Sequence, residues 1–76
     1  MVIESDMRKI HRYISQYREG HGYSPSVREM CEATGIRSTS TMHRRIERMR
    51  FLHMITGGDR PRTVVPLPES EWRADA

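Results

Sequence analysis

The first apolar pattern in the chain has the period of a helix. Hydrophobic residues recur at steps of four, three, four and three positions: Ile3, Met7, Ile10, Ile14 and Tyr17. This spacing places them on one face of a helix, with cations on the other faces. We expect this helix to span residues 5–19 and to end at Gly20 or Gly22, because glycine readily adopts the left-handed conformation that ends helices. Its expected role is structural.

A second, shorter helix is predicted after a break at residues 23–25, because the residue before a proline is pushed out of helical geometry. Ser26 and Glu29 then have the spacing of a capping box, in which the serine side chain caps the helix and the glutamate reaches back to it. We expect this helix to run from Val27 to Thr34. It should end at Gly35.

Four hydroxyl residues in a row, 38–41, precede a third amphipathic segment. Its apolar stripe consists of Met42, Ile46 and Met49. The connection from Thr34 to Ser38 is only a few residues long and contains a glycine, which is typical of a helix-turn-helix. Residues 35–52 are therefore predicted to carry the reader helix of this motif, with its polar faces directed at a polyanion.

The pattern changes to a strand-like alternation after the third helix. Residues 52–56 alternate, residues 57–62 are dense in turn formers, and residues 63–67 are rich in β-formers. Two short strands around a tip that carries two arginines predict a β-hairpin, or wing. Pro66 and Pro68 confine the second strand to an edge or end it.

The predicted fold class is thus mainly α with a small β-hairpin, a three-helix winged helix-turn-helix over residues 1–67. The remaining residues, 68–76, are polar and acidic around a single Trp72, and we expect a polar tail or the start of a linker outside the core. A chain of 76 residues suits one small domain, since such a chain buries only about 60% of its unfolded surface.

Charge is strongly segregated along the chain. Residues 1–36 hold five cations and five acids, residues 37–62 hold seven arginines and two acids, and residues 63–76 hold one arginine and three acids. Of the thirteen cations twelve are arginine, which favours bidentate contacts with phosphate and guanine. The alternative is that the arginine-rich helix is simply a solvated face.

Several other classes of protein are disfavoured. Cys31 is the only cysteine, so no internal disulfide or cysteine-based zinc site is expected, and it is interpreted as a small buried apolar residue. The four histidines have no ligand spacing, and the hydroxyl run lacks a nucleophile context. We therefore expect no metal, no cofactor, no small-molecule ligand and no catalytic residues. No membrane span or signal peptide is apparent, which favours the cytoplasm.

Three segments closely resemble the N-terminal DNA-binding domain of the LexA family of SOS-response repressors. They are residues 22–30 (GYSPSVREM), residues 33–43 (ATGIRSTSTMH) and residues 59–62 (DRPR). The last of these stands directly before a predicted β segment. The resemblance covers roughly residues 3–67. It implies a bacterial or phage-type repressor domain with the third helix in the major groove of double-stranded DNA.

The resemblance also implies site residues. Base contacts are expected from the start of the third helix, at Ser38, Ser40, Thr41, His43 and Arg44. Backbone contacts are expected around the start of the second helix and on the wing, at Ser26, Arg28, Arg60 and Arg62. Two further arginines of the basic segment are added as backbone contacts, Arg37 and Arg48. Full-length members carry a serine–lysine protease domain that nothing here matches, as Lys9 is the only lysine, so no enzyme activity is expected.

Two other functions compete with the reading of a specific DNA site. One is a winged-helix protein-interaction module whose arginines meet an acidic partner, and the other is a non-specific architectural DNA binder. A protein interface would place Leu, Trp or Phe anchors at the start of the third helix, whereas this chain has small polar residues there. One reader helix covers only a half-site, so tight specificity calls for a homodimer on half-sites about 10–10.5 base pairs apart or a multiple of that.

Overall fold

The computed structural model of the chain describes residues 5–60 and 62–73. Three helices come first: α1 at Ser5–His21, α2 at Val27–Thr34 and α3 at Thr39–Phe51. Two short strands and a 3₁₀ turn follow: β1 at Ile55–Thr56, β2 at Val65–Pro66 and the turn at Glu69–Glu71. The strands form an antiparallel hairpin. The fold is a winged helix-turn-helix, as the sequence predicts.

Helix α1 buries the stripe that its sequence predicts and is two residues longer than expected. Met7, Ile10 and Ile14 are buried, while Ile3 lies outside the described residues. Gly22 adopts the left-handed conformation, at φ 81°, and its amide donates to the carbonyl of Arg18 at 2.8 Å. The second of the two predicted glycines is therefore the one that ends the helix.

The capping box predicted for α2 is present in full. The Ser26 hydroxyl accepts from the Glu29 amide at 3.2 Å, and the Ser26 amide donates to the Glu29 carboxylate at 2.8 Å. At the other end Gly35 is left-handed, and its amide donates to the Cys31 carbonyl at 2.9 Å. These local signals fix both ends of α2 and the short turn to α3.

The core lies where the three helices meet the hairpin. Eleven apolar side chains are buried there, five of them methionines: Met7, Ile10, Ile14, Met30, Met42, Ile46, Met49, Leu52, Met54, Ile55 and Val64. Methionine is flexible enough to fill irregular gaps between short elements. Each helix contributes one stripe to this single core, so the opposite faces of α3 are left to solvent.

The wing is shorter than its sequence predicts. Ile55 pairs with Pro66 and Thr56 pairs with Val65, so residues 52–54 do not belong to the strand. His53 is left-handed at φ 59°, and the Met54 amide donates to the Met49 carbonyl at 2.9 Å. The end of α3 thus continues as a hydrogen-bonded turn, which overrides the alternating pattern.

The second strand of the wing is tied to the loop between α1 and α2. Ser24 is fully buried, and its hydroxyl donates to the Val64 carbonyl. The Arg18 guanidinium donates to the same carbonyl at 3.4 Å and to the Ser24 hydroxyl at 3.3 Å. A buried polar group must find such partners, and here they join the wing to the body of the domain.

The prediction that the segment after residue 67 stays outside the core is wrong for Trp72. Its indole is half-buried and packs against the core, and its Nε1 donates to the Leu67 carbonyl at 3.0 Å. The Arg73 amide donates to the Leu52 carbonyl at 2.6 Å. Burial of a large aromatic ring is energetically favourable even when the rest of its segment is polar. Residues 74–76 of the predicted tail lie outside the described residues.

Within the described ranges, none of the helices has the length and apolar character needed to cross a membrane.

Candidate nucleic-acid interface

The start of α3 is held by a hydroxyl cap and presents small polar groups. The Ser38 hydroxyl accepts from the Thr41 amide at 3.2 Å, which satisfies one of the free amides at the helix start. No acidic residue occupies the first turn. The partial positive charge of this helix end is therefore not neutralised within the helix and is directed outward.

The five residues predicted to contact bases lie at the N-terminal end of α3, with Ser38 as its N-cap. Ser38, Ser40, His43 and Arg44 are exposed, and Thr41 is half-buried. Arg44 donates from Nη2 to the Thr41 hydroxyl at 3.4 Å. The burial of Met42, Ile46 and Met49 sets the rotation of the helix, so Ser40, His43 and Arg44 lie on its exposed sides. Hydroxyl, imidazole and guanidinium groups can all bond to base edges.

Arg45 and Arg50 connect α3 to other elements of the domain. The Arg45 guanidinium donates to the Asp6 carboxylate at 2.7 Å, and both side chains are only about one-third exposed. Arg50 pairs with Glu47 and donates to the Gly57 carbonyl at 3.1 Å. Arg45 thus joins α3 to α1, and Arg50 joins α3 to the wing. The sequence does not predict the contact of Arg45 with Asp6 or that of Arg50 with Gly57, because both depend on how α3 packs against α1 and the wing.

Four of the predicted phosphate-contacting residues border one cavity of about 330 Å³ between the start of α2, α3 and the wing. Among its lining residues are Ser26, Arg28, Arg60 and Arg62. Arg28 also borders a neighbouring cavity of about 530 Å³ together with Arg37. The structure therefore brings the start of α2, the turn and the wing tip together on one side of the domain. Arg48 is exposed on α3.

Glu29 is the acid at the centre of this side. It accepts a hydrogen bond from the Ser26 amide, and this bond, with those from Tyr17, the Ser26 hydroxyl and Arg62, lowers the pKa of its carboxyl to about 2. Desolvation opposes the shift but is smaller than these bonds together. The carboxylate is therefore ionised throughout the neutral range, and its charge is compensated within the domain.

Arg62 differs from Arg28, Arg37 and Arg60 because its guanidinium already has partners among the described residues. It lies 2.8 Å from the Glu29 carboxylate and donates to the Tyr17 hydroxyl at 2.9 Å. The hydrogen bond to Tyr17 and the proximity of Glu29 raise the pKa of Arg62. Sequence reasoning missed this cluster, although it had found Glu29 as a capping residue.

The sequence model of the LexA DNA binding domain matches residues 5–60 of the chain. The chain belongs to the LexA DNA-binding domain family. The match runs from α1 through α3 to the tip of the wing, so it includes all five residues predicted to contact bases. Strand β2 and the 3₁₀ turn lie beyond it.

Curated relatives are LexA repressors of several bacteria. That of Acetivibrio thermocellus is 44% identical over 48 residues, which are 63% of this chain and 22% of the relative. That of Limosilactobacillus reuteri is 54% identical over 37 residues, 49% of this chain and 18% of the relative. That of Clostridium perfringens is 36% identical over 52 residues, 64% of this chain and 26% of the relative. No solved structure gives a significant match.

The chain thus spans about a quarter or less of the length of these LexA repressors. The family model matched by this chain is that of the DNA-binding domain. Within the described part of this chain, no cluster of histidine, cysteine, aspartate or glutamate has the geometry of a metal site.

Proposed function

We propose that this domain binds double-stranded DNA in a sequence-specific manner, with α3 in the major groove and the wing on the sugar–phosphate backbone. The observation that carries the proposal is the polar patch at the start of α3, in which Ser38, Ser40, His43 and Arg44 are exposed and Thr41 is half-buried, beside a buried apolar stripe. Small polar groups can approach base edges closely, and phosphate contacts then set the register of the helix.

The surroundings of this patch support the same docking. Arg28, Arg37 and Arg60 are exposed, and the described residues form no ion pair with them. They lie on the side where the start of α2 and the wing approach each other. With Ser26 and Arg48 they form the proposed set of backbone contacts, and each arginine would neutralise one phosphate.

The alternative of a protein-interaction module receives less support. The large exposed apolar side chains in the described residues are Tyr23 and Phe51, and neither lies at the start of α3. Protein interfaces are anchored by buried aromatic residues surrounded by a polar rim. The face of α3 that is open to a partner contains hydroxyls and arginines instead.

The biological role proposed for the whole protein follows from its relatives, which are named as repressors. The domain would act as a LexA-like transcriptional repressor, or as a related phage or mobile-element regulator, in the cytoplasm. Two copies would bind as a homodimer, because one reader helix covers a half-site. Involvement in the SOS response belongs to the same proposal.

A salt titration of binding to duplex DNA tests the proposal. If the four arginines of the proposed set of backbone contacts each neutralise one phosphate, the logarithm of the affinity of one copy should fall with the logarithm of the salt concentration with a slope of about −3.6. Arg37→Gln should reduce the magnitude of this slope by about 0.9. Arg12→Gln is the matched control, because Arg12 is exposed on α1 beside Trp72 and should leave the slope unchanged. Affinity that does not depend on salt would exclude DNA as the ligand.

A further inference from the structure

The guanidinium of Arg62 connects the wing to three other parts of the domain. Its Nη1 lies 2.8 Å from Oε1 of Glu29 on α2 and 2.9 Å from the hydroxyl of Tyr17 on α1. It also lies over the ring of Tyr23 in the loop between these helices, 5.3 Å from the ring centroid. A planar guanidinium can pair with a carboxylate and stack on an aromatic face at once.

The partners of Arg62 are themselves fixed. Tyr17 donates from its hydroxyl to Oε2 of Glu29 at 3.1 Å, and the Ser26 amide donates to Oε1 at 2.8 Å. The orientation of the carboxylate is therefore set by the capping box and by α1. Because both oxygens are held from the protein side, the carboxylate is preorganised to receive the wing.

The backbone of Arg62 is also held. Its φ of 63° lies in the left-handed region, which is unfavourable for a residue with a Cβ and persists only with tertiary support. Its carbonyl accepts from the Ser24 amide at 3.3 Å, next to the buried Ser24 hydroxyl bond to Val64. Side chain and backbone of Arg62 thus fasten the same segment of the wing.

The side chain of Arg60, two residues earlier, is not held by the domain in this way. Its side chain is exposed and forms no hydrogen bond or ion pair with the described residues. Only its backbone is engaged, in a turn where the Thr63 hydroxyl donates to the Arg60 carbonyl at 2.6 Å. The guanidinium of Arg60 is therefore available to a ligand at the tip of the wing.

We propose that Arg62 is a positioning residue, which Glu29 and Tyr17 hold in place to pin the wing against α2, and that Arg60 is the phosphate ligand of the wing. This proposal rests on the proposed DNA-binding function. It replaces the role of backbone contact that the resemblance gave to Arg62.

Electrostatics favours this division of roles. If Arg62 turned to a phosphate, Glu29 would be left as an uncompensated carboxylate on the side of the domain that faces the DNA. A carboxylate and a phosphate are both negative and repel each other, so an unpaired acid next to the phosphate backbone weakens binding. With Arg62 kept on Glu29, the pair has no net charge and should release no counterion when DNA binds.

The slope of the salt titration separates the two roles. Arg60→Gln should reduce its magnitude by about 0.9, since one phosphate contact is lost. Glu29→Gln combined with Arg62→Gln removes the pair without leaving an unpaired charge, so it should weaken binding roughly two- to fivefold, the range of a partly exposed ion pair, and leave the slope unchanged. A slope reduced by about 0.9 in this combined variant would overturn the proposal. Circular dichroism of each variant verifies that the helices are intact.

Tyr17→Phe provides a test that removes no charge. It deletes the hydroxyl that accepts from Arg62 and donates to Glu29, and it should weaken DNA binding in the same direction as Arg62→Gln. If both act by positioning the wing, the double variant should bind no more weakly than Arg62→Gln alone. Effects that multiply in the double variant would show that Arg62 acts on DNA independently of Tyr17.

The exchange of the Ser24 amide, followed by NMR in the free protein, provides a measurement without DNA. This amide donates to the Arg62 carbonyl, so it should exchange several-fold faster in Arg62→Gln and Tyr17→Phe than in Arg60→Gln. Equal rates in all three variants would contradict the positioning role. If the wild-type protein failed to bind duplex DNA, the proposed function would fall, and the exchange rates would still decide whether Arg62 pins the wing.

Discussion

The indole of Trp72 packs edge-on against the imidazole of His11, with ring centroids 4.8 Å apart. Both rings also bind the carbonyl of Leu67, at 3.0 Å from the indole Nε1 and at 2.7 Å from His11 Nε2. Since a carbonyl only accepts, the Nε2 of His11 carries the hydrogen in this contact. Arg8 lies over the indole at 5.2 Å and pairs with Glu69 at 3.3 Å. The segment after the wing is thus fastened to α1.

Trp72→Ala should therefore lower the free energy of unfolding. Truncation of a half-buried Trp removes its packing and its hydrogen bond, for which we expect a loss of about 1–3 kcal/mol. Denaturation in urea, followed by circular dichroism, measures this change. Ser70→Ala, an exposed position in the same 3₁₀ turn, should change stability by less than about 0.5 kcal/mol. Equal stabilities of the two variants would mean that the segment contributes nothing to the fold.

The parts of the fold that the sequence predicts are those with a local signal. The capping box at Ser26 and Glu29 fixes the start of α2, and the 3.6-residue periodicity identifies the buried faces of α1 and α3. Trp72 has no such signal, because a single aromatic residue in a polar segment has no period, and its partner His11 lies near the other end of the chain. The exposure of Ser40, His43 and Arg44 follows from the predicted stripe, since a helix with one buried face exposes the others.

The ion pairs that organise the candidate interface could not be predicted. Asp6 and Arg45, like Glu29 and Arg62, are far apart in sequence, and their contacts depend on how the helices and wing pack. The sequence alone does not distinguish an arginine that is paired inside the domain from one that is open to a phosphate, so Arg62 is predicted as a backbone contact. The structure distinguishes them by their partners, which is why Arg45 and Arg62 acquire roles inside the domain.

Glu29 should make stability dependent on acid pH. Its folded-state pKa of about 2 is lower than its ordinary value of 4.5, so the folded protein binds fewer protons than the unfolded chain between these values. The stabilisation is fully present above about pH 4.5 and is lost as the pH falls toward 2. Glu29→Gln should therefore be less stable than the wild type at pH 7, and the difference should shrink at pH 2.

Urea denaturation at several pH values measures this difference, and Glu32→Gln is a suitable control. Glu32 is exposed in the same helix and forms no hydrogen bond or ion pair with the described residues. Its variant should follow the pH dependence of the wild type. A constant difference between wild type and Glu29→Gln from pH 7 to pH 2 would show that the carboxylate contributes through its shape and not through its charge.

Arg45 and Arg37 should separate stability from DNA binding. Arg45→Gln leaves the Asp6 carboxylate without its ionic partner, and Oδ1 of this residue is buried with no hydrogen bond to the described residues. We expect a loss of about 1 kcal/mol in the free energy of unfolding and no change in the salt slope. Arg37→Gln should show the converse, with stability unchanged within about 0.5 kcal/mol. Similar behaviour of the two variants in both assays would contradict the division of arginines by their partners.

Arg44 and Thr41 should determine which bases are preferred. A guanidinium that reads guanine O6 and N7 contributes about 1–3 kcal/mol of discrimination at one position, so Arg44→Ala should relax the preference there in a selection from randomised duplexes. Thr41→Ala should alter the preference at the same or an adjacent position, because the Thr41 hydroxyl accepts from Arg44 at 3.4 Å. Their effects should be non-additive, since neighbouring residues share one contact. Arg60→Ala should weaken binding to all sequences about equally. If the helix variants left the selected sequence unchanged, α3 would not be the element that reads the bases.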